Sequence, residues 1–146
     1  MKLIKFIALA ALFFLVFVTS IGFNVIAHEC AHYAAAEAYD LNPEMNFATT
    51  GMSVAALYSA DSKIASITYF SDSPEILPED SVIAAAGPIA NLIIACFALM
   101  FYFTQNRSRV GKMLVMLVIT TSLISFGINI LPFAPSDGFY IWHFLM

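Results

Sequence analysis

Apolar residues run through this chain in long blocks, and the polar positions gather in the gaps between them. The first block runs from Leu3 to about Ala27, and a helical pattern continues to about Tyr39. The second runs from about Val82 to Phe103 and the third from Met113 to about Phe133. A helix needs about 20 apolar residues to cross a bilayer, so each block predicts a spanning helix. Gln105 to Lys112 is a short polar turn between the second and third. Leu41-Asn42-Pro43 should stop the first helix, because the residue before proline disfavours helical backbone. Residues 41–80 then form a longer connection. Met45 to Tyr58 and Ile64 to Phe70 are rich in β-branched, aromatic and small residues and predict short strands. Ser71 to Asp80 holds two prolines and four acids and predicts a loop, with Asp80 or Ser81 capping the second span. The expected fold is an all-α polytopic membrane protein: one domain over residues 1–146, three transmembrane helices (about 3–39, 82–103 and 113–133) and a small membrane-associated β element between the first two.

Composition narrows the function classes. The 146 residues are 61% hydrophobic and 11% charged, with mean hydropathy +0.86. Soluble domains average about 45–50% apolar and about 25% charged residues, so this chain cannot wrap its apolar surface in a polar shell of its own. Disorder, collagen, nucleic-acid binding and small disulfide scaffolds are disfavoured. Cys30 and Cys96 both lie in apolar runs and say little about redox compartment. The start, Met1-Lys2-Leu3-Ile4-Lys5 before an apolar run, has the look of a secretory signal peptide. The run continues through Ile21 to Ala27 without a convincing small-residue cleavage site, so an uncleaved first span is expected.

Charge singles out two residues. Of the ten acids, Glu37, Asp40, Glu44, Asp61, Asp72, Glu75, Glu79 and Asp80 lie in the connection or at its edges, opposed there only by Lys63. Glu29 and Asp137 remain, both in or beside apolar runs, where an ionisable group is costly and marks a functional site by default.

His28-Glu29-Cys30-Ala31-His32 is an H-E-x-x-H motif on a predicted helix. Residues four apart share a face, so two imidazoles can grip one metal ion. Zinc suits nitrogen ligands, and a catalytic zinc takes three protein ligands plus a water. The ion lowers the pKa of that water towards ~7, and Glu29 is placed to take the proton as general base. The alternative is two helix-packing histidines with a structural glutamate, which would bury three ionisable groups in an apolar span for no return. The longer metzincin pattern fails, because Ala35 and Ala38 stand where it needs glycine and histidine. Glu75 and Glu79 are nearby acids but lie in the predicted loop. Asp137 is the better third ligand: it follows Leu131-Pro132-Phe133-Ala134-Pro135-Ser136, whose two prolines should unwind the end of the third span. Irregular backbone at membrane depth occurs where it lines protein or a wet cavity. The competing reading of Asp137 is an ordinary Ser-Asp-Gly turn.

Depth is consistent with a meeting. At ~1.5 Å per residue, His28 lies roughly 35 Å from Lys5 and Asp137 roughly 37 Å from Lys112. Successive spans alternate direction, so both fall on the same side. Gly87-Pro88-Ile89-Ala90-Asn91 lies roughly 9–15 Å inside the start of the second span, on that side too.

With His28-Glu29-x-x-His32, then Ala86-Gly87-Pro88-Ile89-Ala90-Asn91, then Asn129-Ile130-Leu131-Pro132-x-x-Pro135-x-Asp137-Gly138, the chain resembles the site-2 protease family of intramembrane zinc metalloproteases. The resemblance covers about Phe23 to Gly138. It implies one zinc ion on His28, His32 and Asp137, Glu29 as catalytic base, and Asn91 as a catalytic residue holding the substrate or the oxyanion. It implies that the sheet receives an extended substrate, which an edge strand could do by β-augmentation. The implied partners are single-pass or membrane-anchored protein substrates and the lipid bilayer, not nucleic acid. A regulatory membrane partner or a second copy stays open. Ser136 stands where the family often has leucine, and no PDZ or CBS domain is attached.

For Asn91 the residues themselves allow either an oxyanion donor or a helix–helix hydrogen bond. Gly22, Ala31 and Ala34 to Ala36 read as close-packing positions, Cys30 as packing, and His143 beside Trp142 as interfacial. Lys2, Lys5 and the Arg107–Lys112 turn share one side, which the positive-inside rule makes cytoplasmic. The metal site would then face outwards, whereas the resembling family usually places it nearer the cytosol. The expected location is a prokaryotic cytoplasmic membrane. Two other functions fit the spans: a non-catalytic membrane subunit that keeps the metal site, and a metal-ion transporter using His28, His32 and Asp137. Neither needs a base at Glu29.

Overall fold

A computed structural model describes residues 2–47, 65–68, 77–105, 108–133 and 136–146. They are mostly helical, in the order α1 (Lys2–Ala38), β1 (Glu44–Phe47), β2 (Ala65–Thr68), α2 (Pro78–Thr104), α3 (Arg109–Ile130) and α4 (Asp137–Leu145). Three of the helices, α1, α2 and α3, are long and apolar enough to cross a membrane.

α1 ends in a tight reversal. Asp40 takes a left-handed backbone (φ 57°), and the N–H groups of Asp40 and Leu41 return to the carbonyls of Glu37 and Ala36. That pair of bonds occupies carbonyls a helix end would otherwise leave open. Asn42 is also left-handed (φ 45°), a conformation asparagine tolerates better than most residues. The buried ring of Pro43 follows and leads into β1. β1 pairs antiparallel with β2, Glu44 opposite Thr68 and Phe47 opposite Ala65. The expected strands were longer; residues 48–64 and 69–76 lie outside the described residues.

α2 begins at Pro78, three residues before Ser81, which corrects the expected cap. Pro78 suits the first turn, where its missing N–H is not needed. Asp80 acts from the third helical position, its Oδ2 accepting from the N–H of Leu77 at 2.8 Å. α2 is the central helix and packs against α1, α3 and α4. At the far turn, Ser108 caps α3, its Oγ accepting from the N–H of Gly111.

The chain after α3 differs from expectation. α3 ends at Ile130, before Pro132, but the backbone recoils at once: Asp137 opens a fourth helix of nine residues. α4 covers the carbonyls that α3 leaves bare. Trp142 Nε1 donates to Ile130 O at 2.9 Å and Ser136 Oγ to Leu131 O at 2.6 Å. Gly138 is required at this corner, because a Cβ there would stand 2.2 Å from Leu131 O and 2.5 Å from Ile130 O.

The interior is rich in polar groups. Among the described residues Ser20, Asn24, His28, His32, Asp80, Ser81, Asn91, Thr121 and Ser122 are buried, beside apolar residues that include Ala36, Ile83, Ala84, Ala95 and Ile119. Large apolar side chains such as Phe6, Phe14, Phe97 and Ile124 point outwards. Among the described residues, none lies within 4 Å of where a Gly22 Cβ would stand. Cys30 is exposed.

Candidate metal centre

The buried residues of α1 are Ser20, Asn24, His28, His32 and Ala36, each four after the last. This i+4 row is one ridge of the helix surface, and it carries both histidines into the bundle. Asn24 Nδ2 donates to Ser20 O, and the Ser20 hydroxyl bonds that of Thr121 on α3. The Ser20 and Asn24 positions were readable from the same four-residue spacing that defines the histidine pair.

His28 and His32 are each 7% exposed, and their rings meet edge to face at 4.5 Å between centroids. Their Nε2 atoms are 3.0 Å apart. Asp137, the first residue of α4, brings Oδ2 to 2.9 Å from His28 Nε2 and 3.4 Å from His32 Nε2. Among the described residues these three form a group that could hold a metal ion. The metal reading of all three positions thus converges on one point, although the first ligand and the last come from opposite ends of the fold.

The donor set fits a small divalent ion. Ligands ~2.0–2.2 Å from a tetrahedral ion stand about 3.3–3.6 Å apart; the 3.4 Å separation here lies in that range and the other two are slightly shorter. Asp137 Oδ2 is buried and faces the two imidazole nitrogens. Burial alone would push the Asp137 carboxyl up, but its contacts with His28 and His32 outweigh that and hold it below the usual carboxylate range. Two imidazoles and one carboxylate leave a fourth tetrahedral position for water or substrate.

Gly87 provides the room. A Cβ there would stand 2.4 Å from His32 Nε2 and 2.6 Å from His28 Nε2, in the space an ion would need. Pro88 follows, buried inside α2, where its missing N–H interrupts the helix ladder.

Glu29 is partly exposed beside His28 and is not one of the three converging groups. Glu79 lies in the first turn of α2, outside the group, and Glu75 lies outside the described residues. His143 is exposed and stacks on Phe139. Asn91 is fully buried; its Nδ2 lies 3.1 Å from His28 Nδ1 and 2.7 Å from Ser125 Oγ. Both are interhelical hydrogen bonds, and the first meets the His28 ring at the nitrogen away from Nε2. No family model, no curated protein and no solved structure matches this chain.

Proposed function

We propose that this chain is a zinc-dependent endopeptidase that cleaves transmembrane segments of other proteins, in the manner of the site-2 protease family it resembles. The observation that carries the reading is the convergence of His28 Nε2, His32 Nε2 and Asp137 Oδ2, with Glu29 next to His28 in the sequence, in a chain whose three long helices suit a bilayer.

A peptide bond in a membrane helix is internally hydrogen-bonded and dry. Its hydrolysis needs a wet, polar interior and a segment of unwound substrate. The inward-facing Ser20, Asn24, Asn91 and Ser122 make the interior polar. A zinc ion on the three ligands would polarise the scissile carbonyl and acidify water. Glu29 would take the proton from that water and pass it to the leaving nitrogen. Asp137 would balance the charge, and Gly87 would keep side chains out of the reacting volume. β1 and β2 would offer backbone to an extended substrate at the end of α1 where the ligands lie. The substrates would be single-pass or membrane-anchored proteins.

The test is metal content and cleavage of a synthetic transmembrane peptide by the purified, reconstituted chain and its Glu29→Gln variant. The wild type should bind one zinc ion and cleave; the variant should bind zinc and not cleave. Zinc-loaded wild type that never cleaves, or a variant that still does, would falsify the protease reading.

A further inference from the structure

We infer that Asn91 is a positioning residue: its side-chain amide oxygen, turned to His28 Nδ1, holds that ring in the tautomer that leaves Nε2 free for a metal. The inference rests on the metal centre proposed above and extends it to a residue that touches no ion.

A neutral imidazole carries one hydrogen. To bind metal through Nε2 it must carry that hydrogen on Nδ1, and a buried Nδ1–H needs an acceptor. His32 meets this condition. Its Nδ1 lies 2.6 Å from Ile83 O, and a carbonyl only accepts. The hydrogen therefore sits on Nδ1, and the lone pair of Nε2 is bare. The backbone of α2 fixes this choice.

His28 is held differently. Its Nδ1 faces Asn91 Nδ2 at 3.1 Å, and an amide nitrogen only donates. In the neutral ring the hydrogen then belongs to Nε2, among Asp137 Oδ2 at 2.9 Å and His32 Nε2 at 3.0 Å. That hydrogen occupies the direction an ion would take. Meanwhile Asn91 Oδ1 is buried with no hydrogen-bond partner, which is costly for an amide oxygen.

A half-turn of the amide exchanges its two ends, which have nearly the same shape. Oδ1 then accepts from His28 Nδ1–H. Ser125 suits both orientations, because its hydroxyl can accept from Nδ2 or donate to Oδ1. The ring loses a hydrogen at Nε2 and gains one at Nδ1, so it stays neutral and no net proton is released. Each orientation leaves one amide atom unpartnered, so the two are close in energy and ion binding decides between them. One ligand is thus fixed by backbone and the other is set by a side chain.

The experiment is a zinc titration of the purified full chain against a chromophoric chelator, with Asn91→Leu, Asn91→Asp and Ser125→Ala beside the wild type. Removing an outer hydrogen-bond partner of a metal-bound histidine typically weakens binding by 10–100-fold, and Asn91→Leu should fall in that range. Asn91→Asp, which only accepts, should bind as tightly as the wild type or tighter. Ser125→Ala should lose less than Asn91→Leu. Nitrogen NMR of labelled histidine should find the His28 hydrogen on Nδ1 in the zinc-loaded wild type. If Asn91 serves only helix packing, Asn91→Asp will be as weak as Asn91→Leu, and the inference is lost. Unchanged affinity in Asn91→Leu, or a hydrogen on Nε2 of loaded His28, also overturns it. Should Asn91→Leu not fold, Asn91→Asp and the NMR measurement still decide. Wild type that binds no zinc removes the metal centre itself, a result distinct from zinc binding that ignores Asn91.

Discussion

The two halves of α1 behave as different kinds of helix. From Lys2 to Thr19 it buries none of its side chains against the described residues; from Ser20 to Ala36 it buries every fourth one. Leu12, Phe14 and Leu15 are exposed, while Ser20, Asn24, His28 and His32 are inside. In water this would be inside out. In a bilayer it follows from the solvent: lipid tails receive leucine as well as a protein interior does, so apolar surface gives helices little reason to associate. Polar groups need partners of their own and bring the helices together. The half that carries the candidate metal ligands is therefore also the half that is packed.

The largest effect expected from this contrast lies at Glu29. Glu29→Gln should lower cleavage by ~10²–10⁴-fold, the usual worth of general acid–base catalysis, with zinc content unchanged. Next come the walls of the metal centre. Gly87→Ala places a carbon 2.4 Å from His32 Nε2 and should abolish zinc binding in a chelator titration. Asp137→Ala should weaken it by more than the ~10–100-fold typical of an outer partner; unchanged affinity would remove Asp137 as a ligand. A smaller effect is expected where the packed half begins. A double-mutant cycle of Ser20→Ala and Thr121→Val should give a coupling of about 0.6 kcal/mol, the average for interhelical hydrogen bonds in a membrane. Smallest is Leu15→Ala in the unpacked half, expected within about 0.5 kcal/mol in unfolding measurements, as for exposed sites elsewhere. A loss well above that would show that this half meets a protein surface, and the contrast between the halves would fail.

The three span-length helices were legible because they depend on length and apolarity alone. The metal group was legible because His28 and His32 share a spacing and Asp137 stands out as a charge beside an apolar run. The start of α2 was harder to read. Asp80 resembles a cap, yet Pro78 can open a helix without a donor, and Asp80 then bonds back from inside. α4 was not legible at all. Nine residues after two prolines carry no periodic signal of their own, and their helix is held by bonds to the end of α3 that exist only once the chain has folded back. The seat of Asn91 had the same obstacle: its residue type names no partner, and its closeness to a ring on another helix exists only in the folded chain.

The ligands come from the first helix and the fourth, with every other described element between them in the sequence. A ribosome releasing this chain makes the histidines early and the aspartate late. The ion can be fully held only after α4 has been made and has turned back onto α3. Until then the candidate metal centre lacks its carboxylate, and an ion would meet two imidazoles alone.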